Sequence, residues 1–141
     1  MLAVTPQRMV NYRWGGLVRG LVILIAWCSA VGGALFFFPV SLWTIAWSVP
    51  IIMLITFLYT GLFITAHDAM HRTLMPCDPF WNDSLGQICV RLFALFSYAK
   101  LRKKHAEHHR APATLHDPDY HDGTNASLVG WYTHFMLEYV T

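Results

Sequence analysis

From Gly20 to Ala66 the chain carries no charged side chain. A membrane-spanning helix needs roughly 20 apolar residues, so this run of 47 residues is too long for one span and suits two. The pattern predicts spans over 17–38 and 42–66. Phe38-Pro39-Val40-Ser41 forms the turn between them, because proline lacks an amide donor and favours a turn. Pro50, inside the second span, predicts a kink of the kind a membrane helix tolerates. The second span is longer than the hydrocarbon core, so its end is expected to protrude where His67 begins. Over 84–99 the pattern becomes amphipathic. Ser84, Gln87 and Arg91 share one face, while Leu85, Ile88, Leu92, Leu95 and Phe96 share another. This predicts an interfacial helix rather than a span, with an ordinary core helix as the alternative. A polar helix follows over 100–111 and is ended by Pro112. Residues 111–127 read as loop, and an apolar pattern resumes over 128–141 as the start of a further helix. The expected fold is all-α: a single multi-pass membrane domain, a transmembrane hairpin followed by helices outside the bilayer.

Composition supports that reading. The chain of 141 residues is 55% hydrophobic and 13% charged, whereas a soluble domain carries about 25% charged residues. The net charge of +2 suggests no nucleic-acid partner. Placement of the basic residues matters more. Arg8, Arg13 and Arg19 precede the hairpin, and Arg72, Lys100, Arg102, Lys103, Lys104 and Arg110 follow it, with none at the turn. By the positive-inside rule both ends lie in the cytoplasm, and the Lys100–Lys104 stretch lies close to anionic membrane lipid. The first apolar run is longer than a signal-peptide core and lacks a small-residue cleavage site, so it reads as a retained span. Cys28, Cys77 and Cys89 form no Cys-x-x-Cys pair. The sequon Asn125-Ala126-Ser127 falls on the expected cytoplasmic side and is read as a chance match.

All eight histidines come after residue 66. His67-Asp68-Ala69-Met70-His71 spaces two imidazoles four apart, on one face if the helix continues. Asp68 is a candidate to orient one of them through its second ring nitrogen. His105, His108 and His109 likewise share a helical face. A lone interfacial histidine is usually just a satisfied polar residue, but five in two aligned sets point to metal: iron, zinc, copper or nickel. His-Glu-x-x-His is absent, which argues against that class of zinc protease. His105-x-Glu107 is half of a zinc-deaminase signature, but its Pro-Cys-x-x-Cys half is missing. The Glu-x-x-His pairs of ferritin-like di-iron bundles are missing too.

His-x-x-x-His after a hairpin, then His-x-x-His-His about 35 residues later, resembles the membrane fatty-acid desaturase and hydroxylase superfamily. Within it, the sequence is most similar to the β-carotene ketolases. Lys104 through Arg110 resembles their second histidine box. His116-Asp117-Pro118-Asp119-Tyr120-His121-Asp122-Gly123 resembles the acidic loop that follows, and Trp131 through Tyr139 the next aromatic segment. The resemblance implies a non-haem di-iron site with O2 as co-substrate, and iron ligation by His67, His71, His105, His108 and His109. It implies oxidation of the C4 methylene of a β-ionone ring to a ketone. The substrate would be a carotenoid in the bilayer, and electrons would come from a ferredoxin-type donor docking near Lys100–Lys104. Asp117 is the candidate catalytic acid, while Asp119 and His121 are either functional or loop-forming. His134 is either a further ligand or an interfacial residue. The family has a third histidine box that these 141 residues lack, and five ligands do not hold two iron atoms securely. The chain is therefore expected to be the N-terminal part of a longer enzyme. Competing readings are a fatty-acid desaturase or hydroxylase and an inactive metal-binding membrane protein.

Overall fold

A computed structural model describes residues 6–39, 41–120 and 127–140, with side chains from Trp14 onward except at 135 and 140. Five helices follow in order: α1 (Pro6–Phe36), α2 (Leu42–Met70), α3 (Pro79–Ala94), α4 (Tyr98–Arg110) and α5 (Leu128–Val140). No strand occurs among the described residues. The chain divides into two compact units, Met1–Phe93 and Ala94–Thr141.

In the first unit, α1 and α2 form the hairpin. Ser41 starts α2 through a capping box: its hydroxyl accepts from the Thr44 amide, and the Thr44 hydroxyl accepts from the Ser41 amide. Pro50 is carried inside α2 without ending it. Trp14–Phe36 and Leu42–Met70 are each long and apolar enough to cross a membrane, with mean hydropathies of 1.9 and 2.1. Only 11% and 17% of their most apolar windows are buried within the chain. A core helix of a soluble protein would be mostly covered, so these surfaces suit lipid.

Small residues bring the helices together, as in membrane bundles. A Cβ added at Gly61 would lie 2.8 Å from the Ile23 side chain, and one at Gly20 would lie 2.8 Å from both Thr65 and Leu85. The pairs Ile23–Gly61 and Gly20–Thr65 make α1 and α2 antiparallel. Gly16 is tighter still: a Cβ there would sit 2.6 Å from the Leu74 carbonyl oxygen. The chain leaving α2 is thus seated directly on the backbone of α1.

The end of α2 is closed in a Schellman motif. The Arg72 amide donates to the Ala69 carbonyl (3.0 Å) and the Thr73 amide to the Asp68 carbonyl (3.0 Å). This places Arg72 in the left-handed region at φ 61°, where a residue with a Cβ costs about 1 kcal/mol. Asn82 of α3 holds the same end from the side. It is fully buried, and its Nδ2 donates to the Ala69 carbonyl (2.8 Å) while its Oδ1 accepts the Met75 amide (3.4 Å). Asp83, next along, pairs with the Arg72 guanidinium at 3.3 Å.

The two helices expected over 84–99 and 100–111 are both present, but the break between them falls at 95–97. α3 starts five residues earlier, with the Asp78 side chain accepting from the Phe80 amide (3.0 Å), and ends at Ala94. Leu95 then turns left-handed (φ 59°) before α4. The face that α3 packs within the chain is not the apolar face of the sequence pattern. It runs through Asn82, Leu85, Gly86, Cys89 and Val90, while Ile88 and Leu92 are exposed. α3 runs antiparallel along the last turns of α2, from Asn82 at Ala69 to Phe93, which stacks on Tyr59 (4.6 Å between centroids) and meets Phe63 (5.1 Å).

In the second unit α4 and α5 pack through Lys104. Its Nζ donates to the Glu138 carbonyl and carboxylate, both at 2.8 Å, and stands 4.5 Å from the Tyr139 ring centroid. α4 ends at Arg110, as Pro112 requires.

Replacing Asn82 by Ala leaves the buried Met75 amide without its side-chain acceptor and the Ala69 carbonyl with only its backbone donor from Arg72, and should lower stability by about 1–3 kcal/mol. Chemical unfolding of the detergent-solubilised chain measures it; an unchanged midpoint would mean that α2 ends without this clamp. Gly16→Ala should cost a similar amount, about 1–3 kcal/mol, through overpacking against backbone.

Candidate metal centre

The first histidine set belongs to the first unit. His67 is in the last turn of α2 and His71 is its C-cap, with its backbone still helical at φ −81° and ψ −1°. The helix continues past Ala66 just far enough to put both rings on one face. Their centroids are 4.7 Å apart and the rings meet edge to face. Asp68 Oδ1 stands 3.5 Å from His67 Nδ1, on the side where a carboxylate orients an imidazole.

The second set lies in α4, within the second unit. His105 and His109 repeat the geometry of the first pair, with centroids 4.6 Å apart and planes at 90°. Their Nε2 atoms approach to 3.2 Å. Metal–imidazole bonds of about 2.1 Å put neighbouring ligand nitrogens about 3 Å apart. The pair therefore fits two ligands of one ion. His108 stacks on His105 with centroids 6.3 Å apart.

His108 is held differently. Its Nδ1 is 2.9 Å from Asp117 Oδ1 and 3.0 Å from Oδ2. Asp117 is buried, with its side chain only 3% exposed. Its carboxylate also accepts the Ala113 amide at Oδ2 (2.7 Å) and the Asp119 amide at Oδ1 (2.9 Å). Each oxygen thus has two partners. A carboxylate so engaged orients the ring and leaves Nε2 as the nitrogen open to a metal. Burial alone would raise the Asp117 pKa, but the amides of Asp119 and Ala113 and the His108 ring outweigh it and hold the carboxyl below its usual range. The hydrogen bond to Asp117 raises the His108 pKa, against some desolvation.

Behind this pair, the Tyr139 hydroxyl donates to Asp119 Oδ1, and Asp119 Oδ2 is 3.6 Å from His108 Nδ1. Burial, then the bond to Asp119, raises the Tyr139 pKa and keeps it a donor. The hydrogen bond from Lys104 lowers the pKa of Glu138. Lys104, expected as part of a docking surface, is thus tied to α5.

Of the histidines expected as ligands, His67 and His71 are paired in one unit; in the other, His105 and His109 are paired on α4 and His108 lies against Asp117. His116 and His134 are exposed and enter neither set. His121 and Asn125 fall outside the described residues. Sequence reasoning missed Asn82, Asp83 and Tyr139, which act through contacts far along the chain.

Comparison with known proteins places the chain. The fatty acid desaturase profile matches residues 43–141. The chain belongs to this family. Its relatives include a β-carotene 4-ketolase of Haematococcus lacustris, 47% identical over 92 residues, which are 64% of this chain and 28% of the relative. A zeaxanthin 4-ketolase of Chlamydomonas reinhardtii is 36% identical over 137 residues, 90% of this chain and 30% of the relative. A β-carotene ketolase of Paracoccus is 38% identical over 117 residues, 83% of this chain and 47% of the relative. The chain therefore spans less than half the length of these curated relatives. No solved structure matches it. These relatives are thus carotenoid ketolases, within the fatty acid desaturase family.

The Asp117–His108 pair carries a pH signature in the metal-free chain. A raised histidine pKa stabilises fully below its unfolded value of about 6.5 and is lost as pH rises through the folded value. A depressed aspartate pKa stabilises fully above about 3.9 and is lost as pH falls through the folded value. The melting temperature of Asp117→Asn should therefore trail wild type most between about pH 4 and 6.5. A gap that widens from neutral to alkaline pH would contradict the pairing.

Proposed function

We propose that the chain supplies histidine ligands to a non-haem di-iron centre that oxidises C4 of a β-ionone ring to a ketone. The observation that carries this reading is the repeated i, i+4 imidazole pair, His67/His71 and His105/His109, in a chain whose relatives are carotenoid ketolases. Neutral imidazole is a good ligand for iron. His67, His71, His105, His108 and His109 would hold the metal. With O2, iron would supply the oxidant for a ring methylene C–H bond, which is too weakly acidic for acid–base side chains to attack.

The residues of this chain bind and orient. Asp117 fixes the His108 ring and presents Nε2, so its part is to position a ligand rather than to meet substrate. Asp68 is placed to do the same for His67. A carotenoid dissolves only in the bilayer, and the bare apolar faces of α1 and α2 suit a protein that meets it there. The basic residues flanking the hairpin support a cytoplasmic location for both histidine sets. Exposed Lys100 and Lys103 would face a ferredoxin-type electron donor.

Two measurements test the reading. Iron should co-purify with the wild-type chain, and His105→Ala should lower iron per chain by at least about tenfold, the scale of losing a ligand or its support. Unchanged iron would remove His105 from the ligand set. Co-expression in a bacterium that accumulates β-carotene should give keto-carotenoids and a yellow-to-red shift. Altered membrane fatty acids without keto products would favour a lipid desaturase or hydroxylase instead. For topology, a cysteine at Pro39 should react with an impermeant reagent from outside, and one at Lys103 only from inside. The reverse labelling would overturn the cytoplasmic assignment.

A further inference from the structure

We propose that Tyr139 is a positioning residue for the His108 imidazole, acting through Asp119. The inference rests on the reading of His108 as a metal ligand. Asp119 touches the histidine's support in two ways. Its backbone amide donates to Asp117 Oδ1 (2.9 Å), the oxygen that is also 2.9 Å from His108 Nδ1. Its own Oδ2 stands 3.6 Å from the same ring nitrogen. Among the described residues, and apart from the Asp117–His108 bond itself, the loop from Ala111 to Tyr120 is held by short turns, such as Asp117 N to Thr114 O and Tyr120 N to Asp117 O, both at 3.0 Å. Such turns do not fix a loop against anything outside itself. Tyr139 does, because its hydroxyl binds Asp119 Oδ1 from a different helix, 20 positions along the chain.

The anchor is itself held. Tyr139 is buried, with Phe96 6.2 Å away between ring centroids and Lys104 Nζ over its ring at 4.5 Å. Lys104 is pinned by two bonds to Glu138. A chain of contacts therefore runs from α5 through Asp119 to the nitrogen of His108 that faces away from any metal. Outer partners of ligating histidines fix the ring and its tautomer, and their loss weakens metal binding. Tyr139 enters by the same logic one step further out. The aromatic stripe of α5 then has a use beyond packing, since one of its hydroxyls sets the angle of a ligand on α4.

Tyr139→Phe removes the hydroxyl and leaves the ring between Phe96 and Lys104. Two readouts on the full chain in detergent decide the matter. The first is titration with Co2+, whose visible d–d bands report ligand geometry. Tyr139→Phe should bind several-fold more weakly, up to about tenfold, the lower edge of the effect of direct partners, and its bands should shift. The second uses no metal: the 15N shifts of the His108 ring should move toward those of a freely rotating imidazole. Helix content by circular dichroism should stay at the wild-type level. Should that variant unfold, Asp119→Ala at its more open loop site should give the same ring shift. Wild-type Co2+ affinity, bands and ring shifts in Tyr139→Phe would overturn the proposal. A wild-type chain that takes no Co2+, while Tyr139→Phe still moves the His108 shifts, would uphold the positioning role and defeat the metal reading.

Discussion

The buried amide of Asn82 is the contact on which the first histidine pair depends. It closes the Ala69 carbonyl, holds the Met75 amide, and does so from α3, which reaches α2 only after the chain has reversed. Both bonded groups flank His71. Without the clamp, the last turn of α2 would rely on its Schellman bonds and the Arg72–Asp83 pair, and would still carry the strain of a left-handed Arg72. Helix ends fray because their final carbonyls lack partners, and a frayed turn would separate the two rings. A polar residue in the apolar packing between helices is thus a stop, fixing where the helix ends and therefore which residue is its cap.

The two histidine sets are supported by different means. In the first, packing and backbone capping define the rings, and glycines let the helices approach. Gly16, Gly20 and Gly61 each face a neighbour that a Cβ would strike. In the second, α4 is polar and buries only Tyr98. Its order comes from charge: Lys104 to Glu138, and His108 to a buried carboxylate. The first arrangement suits a lipid-facing helix and the second a helix in contact with water.

Much of this was legible along the sequence. The charge-free run, the turn at Pro39, the stop at Pro112 and the helical spacing of the histidines follow from local rules, and the helices obey them. The paired rings followed from i, i+4 spacing alone. The α3 face did not, because its buried stripe is built of Asn82, Gly86 and Cys89 rather than large apolar residues. Hydrophobic periodicity weights Ile88 and Leu92, which point outward. The break at Leu95 was hidden too, since a leucine at positive φ violates the residue preference that marks such turns. Asp117 was visible only through family resemblance. Its place behind His108 depends on the Ala113–Asp119 loop folding back, and no spacing rule encodes that.

The three partners of the Asp117 carboxylate, the His108 ring and the amides of Ala113 and Asp119, bear on the order of assembly. In many small metal sites the ion pulls the ligands into place, and removing it melts the fold. Here the loop, the carboxylate and the ring of His108 are already joined by bonds internal to the protein. The ordering entropy is met during folding, before any ion arrives. A metal held by His108 would then enter a finished frame, and a chelator that stripped it would leave an empty socket rather than an unfolded chain.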